Sequence, residues 1–93
     1  MTDAPRIALI HALEESVAPI RQAFADQWPQ ARCFDLLDTS LAPDRAQAGM
    51  LDAAMFERFS TLAAYAGASQ GVGGATRALL FTCSAFGAAI DAV

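Results

Sequence analysis

Three apolar runs of strand length, separated by stretches of helical character, constrain this chain more than any single residue does. "RIALIHA", residues 6–12, is apolar with hardly a break and follows Pro5. Such a run has no polar face, so it fits a strand covered on both sides within a parallel sheet. A second strand is predicted over 32–37 in "ARCFDLLDTS", and a third over 78–82 in "ALLFT". Between the first two, Val17, Ile20, Phe24 and Trp28 step by three, four and four, which marks one face of a helix over 16–28. Ser16 is its expected N-cap, and Pro29 ends it. A longer helix is expected over about 49–66, with Leu51, Met55, Phe59, Leu62 and Ala66 as its apolar stripe. "LAPDRAQAG" before it reads as a loop with turn chemistry at Pro43 and Asp44. A last helix is expected from Ser84, cut short at Val93.

Strand, helix, strand, helix, strand, helix is the order of an α/β fold with a parallel sheet and right-handed crossovers. With 93 residues the chain is one small lobe, read here as the front half of an α/β domain. At 55% apolar residues it is not a disordered chain. A net charge of −4 and the lack of a basic cluster argue against nucleic acid and anionic membrane surfaces as partners. No segment is apolar for long enough to span a bilayer, and the acidic N-terminus is unlike a secretory signal. Cys33 and Cys83 do not form the framework of a small secreted domain, so a cytoplasmic chain with reduced thiols is expected.

Several chemistries are disfavoured by pattern. One histidine and two distant cysteines are not a metal-ligand set, so no metal is expected. "GVGGAT" lacks the Gly-Lys-Ser/Thr ending of a phosphate loop and precedes a strand, so it reads as a flexible loop. A phospho-receiver would need an acidic cluster after the first strand, where this chain has His11-Ala12-Leu13. A tyrosine-phosphatase loop would need an arginine soon after Cys83, and none follows.

In open parallel sheets, ligands bind beyond the C-terminal ends of the strands, where strand order reverses. In the order 2-1-3 the exits of strands one and three face one crevice, and they carry His11 and Cys83. The exit of strand two carries Asp38, Thr39 and Ser40. A thiol before a helix start is expected to have a lowered pKa, and Ser84 could cap that helix and hold a carboxylate. Each residue also has a plainer role. Cys83 can be a buried structural cysteine, and His11 a hydrogen-bonded core histidine. Cys33, inside its strand, reads as packing, and Asp38-Thr39-Ser40 as an ordinary turn.

"RIALIHA", "VAPIRQAFADQWPQA", "LLDTSL" and "LLFTCSAFGAAIDAV" together resemble the N-terminal half of the aspartate/glutamate/hydantoin racemase superfamily, closest to a racemase-like branch with a "TCSAFG" segment. The likeness runs over nearly the whole chain, with residues 71–75 looking like an insertion. The resemblance implies a parallel three-layer α/β/α sandwich, a flavodoxin-like lobe, as one half of a two-lobed enzyme with its site between the lobes. It implies a cofactor-independent isomerase in which one cysteine removes a proton α to a carboxylate or carbonyl. A second cysteine, from the other lobe, delivers a proton to the opposite face. Cys83 matches the first of these. Ser84 matches a position that holds the substrate carboxylate, with Thr82, His11, Thr39 and Ser40 around the pocket. The implied partners are a small carboxylate or hydantoin-like substrate and either a second lobe or a second copy of the chain. "HALEES" departs from the Asp/Asn-Ser turn that the family has after its first strand. One-cysteine relatives such as arylmalonate decarboxylases keep decarboxylation open, and an inactive truncated lobe is the non-enzymatic alternative.

Overall fold

The computed structural model describes residues 4–83 and 86–93. It is a mixed α/β protein built on a four-strand, mostly parallel sheet. β1 (Arg6–His11) pairs in parallel with β2 (Arg32–Leu37) on one side and with β4 (Gly74–Phe81) on the other. A two-residue strand, β3 (Gln70–Gly71), adds antiparallel to β4, so the order is β2-β1-β4-β3. The first predicted strand is therefore central, with the second and third beside it. Its uninterrupted apolar character follows from that place: Ile7 through Ile10 are all buried.

The helices are α1 (Val17–Gln27), α2 (Leu41–Ala48), α3 (Ala53–Ala68) and α4 (Gly87–Asp91). Ala8 and Ile10 point to one face of the sheet, where Ala66 and Leu62 of α3 cover them together with Leu36, Leu79 and Phe81. Beyond the strand ends the core continues through Ala12, Leu41, Met55, Phe59, Cys83, Phe86 and Ala89. Phe59 is its hub, with ring centroids 5.0 Å from Phe86 and 6.0 Å from Phe81. Burial of one such ring contributes about 1.5–3 kcal/mol. The expected stripe of α3 is largely confirmed, with Met55, Phe59 and Ala66 buried and Leu62 packed against them.

Four local expectations need correction. The segment "LAPDRAQA" is helix α2, not a loop. Pro43 falls in its first turn, where the missing N–H costs no hydrogen bond, Leu41 anchors it by full burial, and Gly49 closes it at φ 76°. The expected 49–66 helix therefore starts later, at Ala53, and its N-cap is Asp52, whose side chain accepts from the Met55 N–H at 2.9 Å. Ser16 does not cap α1, because a 3-10 turn over Glu14–Ser16 places it at αR angles with its side chain making no cap bond. The stripe of α1 is only half-buried at Val17, Ile20 and Phe24, and Trp28 is exposed.

The fourth correction is the glycine-rich stretch. It is a β-hairpin, and the third predicted strand begins at Gly74 and ends at Phe81, just before Thr82. A two-residue loop, Val72-Gly73, joins its arms, with Gly73 and Gly74 at φ 79° and 87°. Arg6 pins it, donating to Val72 O at 3.1 Å and to Thr76 Oγ1 at 3.2 Å while lying over the Phe34 ring. Among the described residues, no helix is long and apolar enough to cross a membrane.

Candidate functional site

The three parallel strands leave the sheet at the same end. Asp38 N–H donates to His11 O at 3.1 Å, and Thr82 N–H donates to Ile10 O at 3.0 Å. These bonds extend the strand pairing by one step and fix His11, Thr82 and Cys83 beside one another.

His11 ends an apolar strand and has no solvent exposure. A buried imidazole needs a partner at each ring nitrogen. Nε2 lies 2.8 Å from Asp35 Oδ1, and Nδ1 lies 2.7 Å from Thr82 Oγ1. Strand alternation makes this possible. Asp35 is in register with Leu9, two residues before His11, so Asp35 and His11 project to the same side. Arg21 of α1 stands behind the pair, 3.5 Å from Asp35 Oδ2, and its Nη1 donates to Cys33 O at 2.7 Å. Asp35 was not among the expected site residues. Its signal was an acidic side chain at an alternate position inside an apolar strand, "CFDLL".

Cys83 is 8% exposed and packs among Ala12, Leu41, Met55 and Phe59. Its Sγ lies 3.9 Å from Ile10 O. The expected lowering of its pKa is overturned. Burial pushes the thiol up, and backbone hydrogen bonds from Thr82 and Ala12 only partly offset it. The physical reason is desolvation, because the apolar side chains packed around Cys83 disfavour the charged thiolate. Cys33 is half-buried, and desolvation raises its thiol as well.

Thr39 and Ser40 are both exposed. The Ser40 hydroxyl donates to Asp38 Oδ1 at 2.6 Å, and Arg58 Nη2 donates to Ser40 Oγ at 2.7 Å. Arg58 also holds Asp38 at 3.1 Å and Asp44 at 2.8 Å. The Ser40 hydrogen bonds, aided by Arg58, keep the Asp38 carboxyl below its ordinary value. The turn after β2 is thus part of a surface ion-pair cluster. Beside it lies an open groove of about 510 Å3 lined by Asp38, Ala54, Glu57, Arg58, Thr61 and Leu62. A second cleft, of about 430 Å3, lies between α1 and Cys33. Neither is lined by Cys83, His11 or Thr82. Ser84 lies outside the described residues. Among the described residues, no three His, Cys, Asp or Glu side chains are grouped to hold a metal ion.

No family model, no curated protein and no solved structure matches the chain. What the site can do follows from its own chemistry. It holds a buried thiol whose sulfur lies 3.9 Å from the Ile10 carbonyl, and a carboxylate–imidazole–hydroxyl chain one residue away.

Proposed function

We propose that this chain is a flavodoxin-like lobe of a cofactor-independent racemase or isomerase of the aspartate/glutamate/hydantoin type. Cys83 moves the proton α to a carboxylate or carbonyl. The observation that carries the reading is the position of Cys83, buried at the shared C-terminal exit of β1 and β4 with its Sγ 3.9 Å from Ile10 O. The neighbouring backbone of Thr82 and Ala12 favours the thiolate, while burial favours the thiol, so the same group can take and return a proton. Ser84, next in the chain, is the residue assigned to the substrate carboxylate. Thr82 and His11 support the thiol, whereas Ser40 is engaged by Asp38 and Arg58 in the surface cluster.

Inversion needs a second acid/base group on the opposite face of the substrate. Cys33 does not serve, because its register with Ile7 puts it on the sheet face away from the Cys83 cluster. The second group therefore comes from another lobe or a second copy of the chain. A single thiol on that side also suits one-faced protonation after decarboxylation of a substituted malonate, which is the second reading. The test is incubation with amino acids, 5-substituted hydantoins and substituted malonates in deuterated water. Deuterium incorporation at the α-carbon that is lost in Cys83→Ala supports the first reading. Carbon dioxide release with the same dependence supports the second. Neither activity, or activity retained in Cys83→Ala, overturns both.

A further inference from the structure

We infer that Asp35 is a positioning residue that acts on the Cys83 thiol through His11 and Thr82; this rests on the reading of Cys83 as the acid/base. Donors and acceptors must match along the path from Asp35 to Cys83. An ionised carboxylate only accepts, so the hydrogen between Asp35 Oδ1 and His11 Nε2, 2.8 Å apart, sits on Nε2. Nδ1 of the neutral ring is then an acceptor, and the hydroxyl of Thr82, 2.7 Å away, donates to it. Thr82 has one hydroxyl hydrogen and a second acceptor in reach, the Ile10 carbonyl at 3.4 Å.

That carbonyl is contested. Its oxygen has two lone pairs. The Thr82 N–H takes one, at 3.0 Å. The other is open to the Thr82 hydroxyl at 3.4 Å or to the Cys83 thiol at 3.9 Å. With the hydrogen of His11 on Nε2, the hydroxyl turns to Nδ1 and leaves the carbonyl to the thiol. With a hydrogen on Nδ1, the ring donates to Thr82, the hydroxyl swings to Ile10 O, and the thiol loses its acceptor. Asp35 thus selects which of the two arrangements Cys83 meets. No heavy atom has to move, because only a hydroxyl rotates.

The test uses full-length protein carrying Cys33→Ala, so that Cys83 supplies the only S–H infrared band. Nitrogen NMR of His11 reports which ring nitrogen carries the hydrogen. Asp35→Asn offers an amide donor to Nε2, so the ring hydrogen is expected on Nδ1 and the S–H band is expected to shift to higher wavenumber. Adding Thr82→Val should abolish that shift, and Thr82→Ser should preserve it. The charged and titratable groups around the ring are Asp35 from β2, Arg21 of α1 behind it, and Cys83 across the Ile10 carbonyl. The inference is overturned if Asp35→Asn leaves the hydrogen on Nε2, if the tautomer changes while the band stays, or if the band still moves with Thr82→Val. These readouts do not need turnover. An absence of α-proton exchange would remove the catalytic role of Cys83 and leave the relay standing.

Discussion

Cys83 and Asp38 show how opposite environments act on single ionisable groups. Cys83 is desolvated among apolar side chains, so its neutral form is favoured and its pKa is raised. In Cys33→Ala protein, pH-dependent alkylation should place its half-point above the free-thiol value of about 8.5. Because the folded value is the higher one, its contribution to stability is complete below the unfolded value and is lost as pH rises through the folded one. Chemical denaturation at stepped alkaline pH should show that loss, and Cys83→Ala should flatten it. For Asp38 the folded value is the lower one, held there by Ser40 and Arg58. Its contribution is present above the ordinary carboxylate value and fades as pH falls through the folded one. Asp38→Asn should therefore reduce stability at neutral pH by no more than about 1 kcal/mol, since the pair is partly exposed, and that loss should vanish in acid. His11, Thr82 and Cys83 were legible in the sequence because they stand at strand ends. Asp35 was not, because its role depends on the register of β2 against β1.

Caps and turns decide the boundaries of the elements. Asp52 accepts the Met55 N–H, so Asp52→Ala should cost about 1 kcal/mol in urea unfolding. Gly49 and Gly73 share a left-handed backbone, at φ 76° and 79°, but not the same surroundings. A Cβ at Gly49 meets nothing within 4 Å, whereas one at Gly73 comes within 2.8 Å of Arg32 Cδ and 3.4 Å of Ala4 O. Gly49→Ala should cost about 1–2 kcal/mol from the backbone alone, and Gly73→Ala should cost more. Equal losses in parallel thermal melts would mean that the Arg32 side chain yields freely. The α3 stripe was readable because a four-turn helix repeats its pattern. α2 was missed because it has a single buried residue, Leu41, and periodicity needs several.

At the scale of the whole molecule, one layer of the core carries most of the apolar packing. α3 and α4 close over one face of the sheet around Phe59. On the other face Leu80 stays 37% exposed, and β2 is an edge strand with Phe34 41% exposed. Phe59→Ala should cost about 3–5 kcal/mol. For a domain of this size that is a large share of its stability, so a broad, non-cooperative melt is expected. The sequence by itself determined the alternation of strands and helices, the central place of the first strand and the meeting of His11 with Cys83 at one end. Those depend on local periodicity and on the few ways parallel strands can be connected. The tertiary structure alone decided that Asp35 bonds His11, that Ser40 turns to Arg58, and that burial raises the Cys83 thiol. Hydrogen-bond partners and desolvation depend on which surfaces close over a group, and those surfaces come from residues far away along the chain.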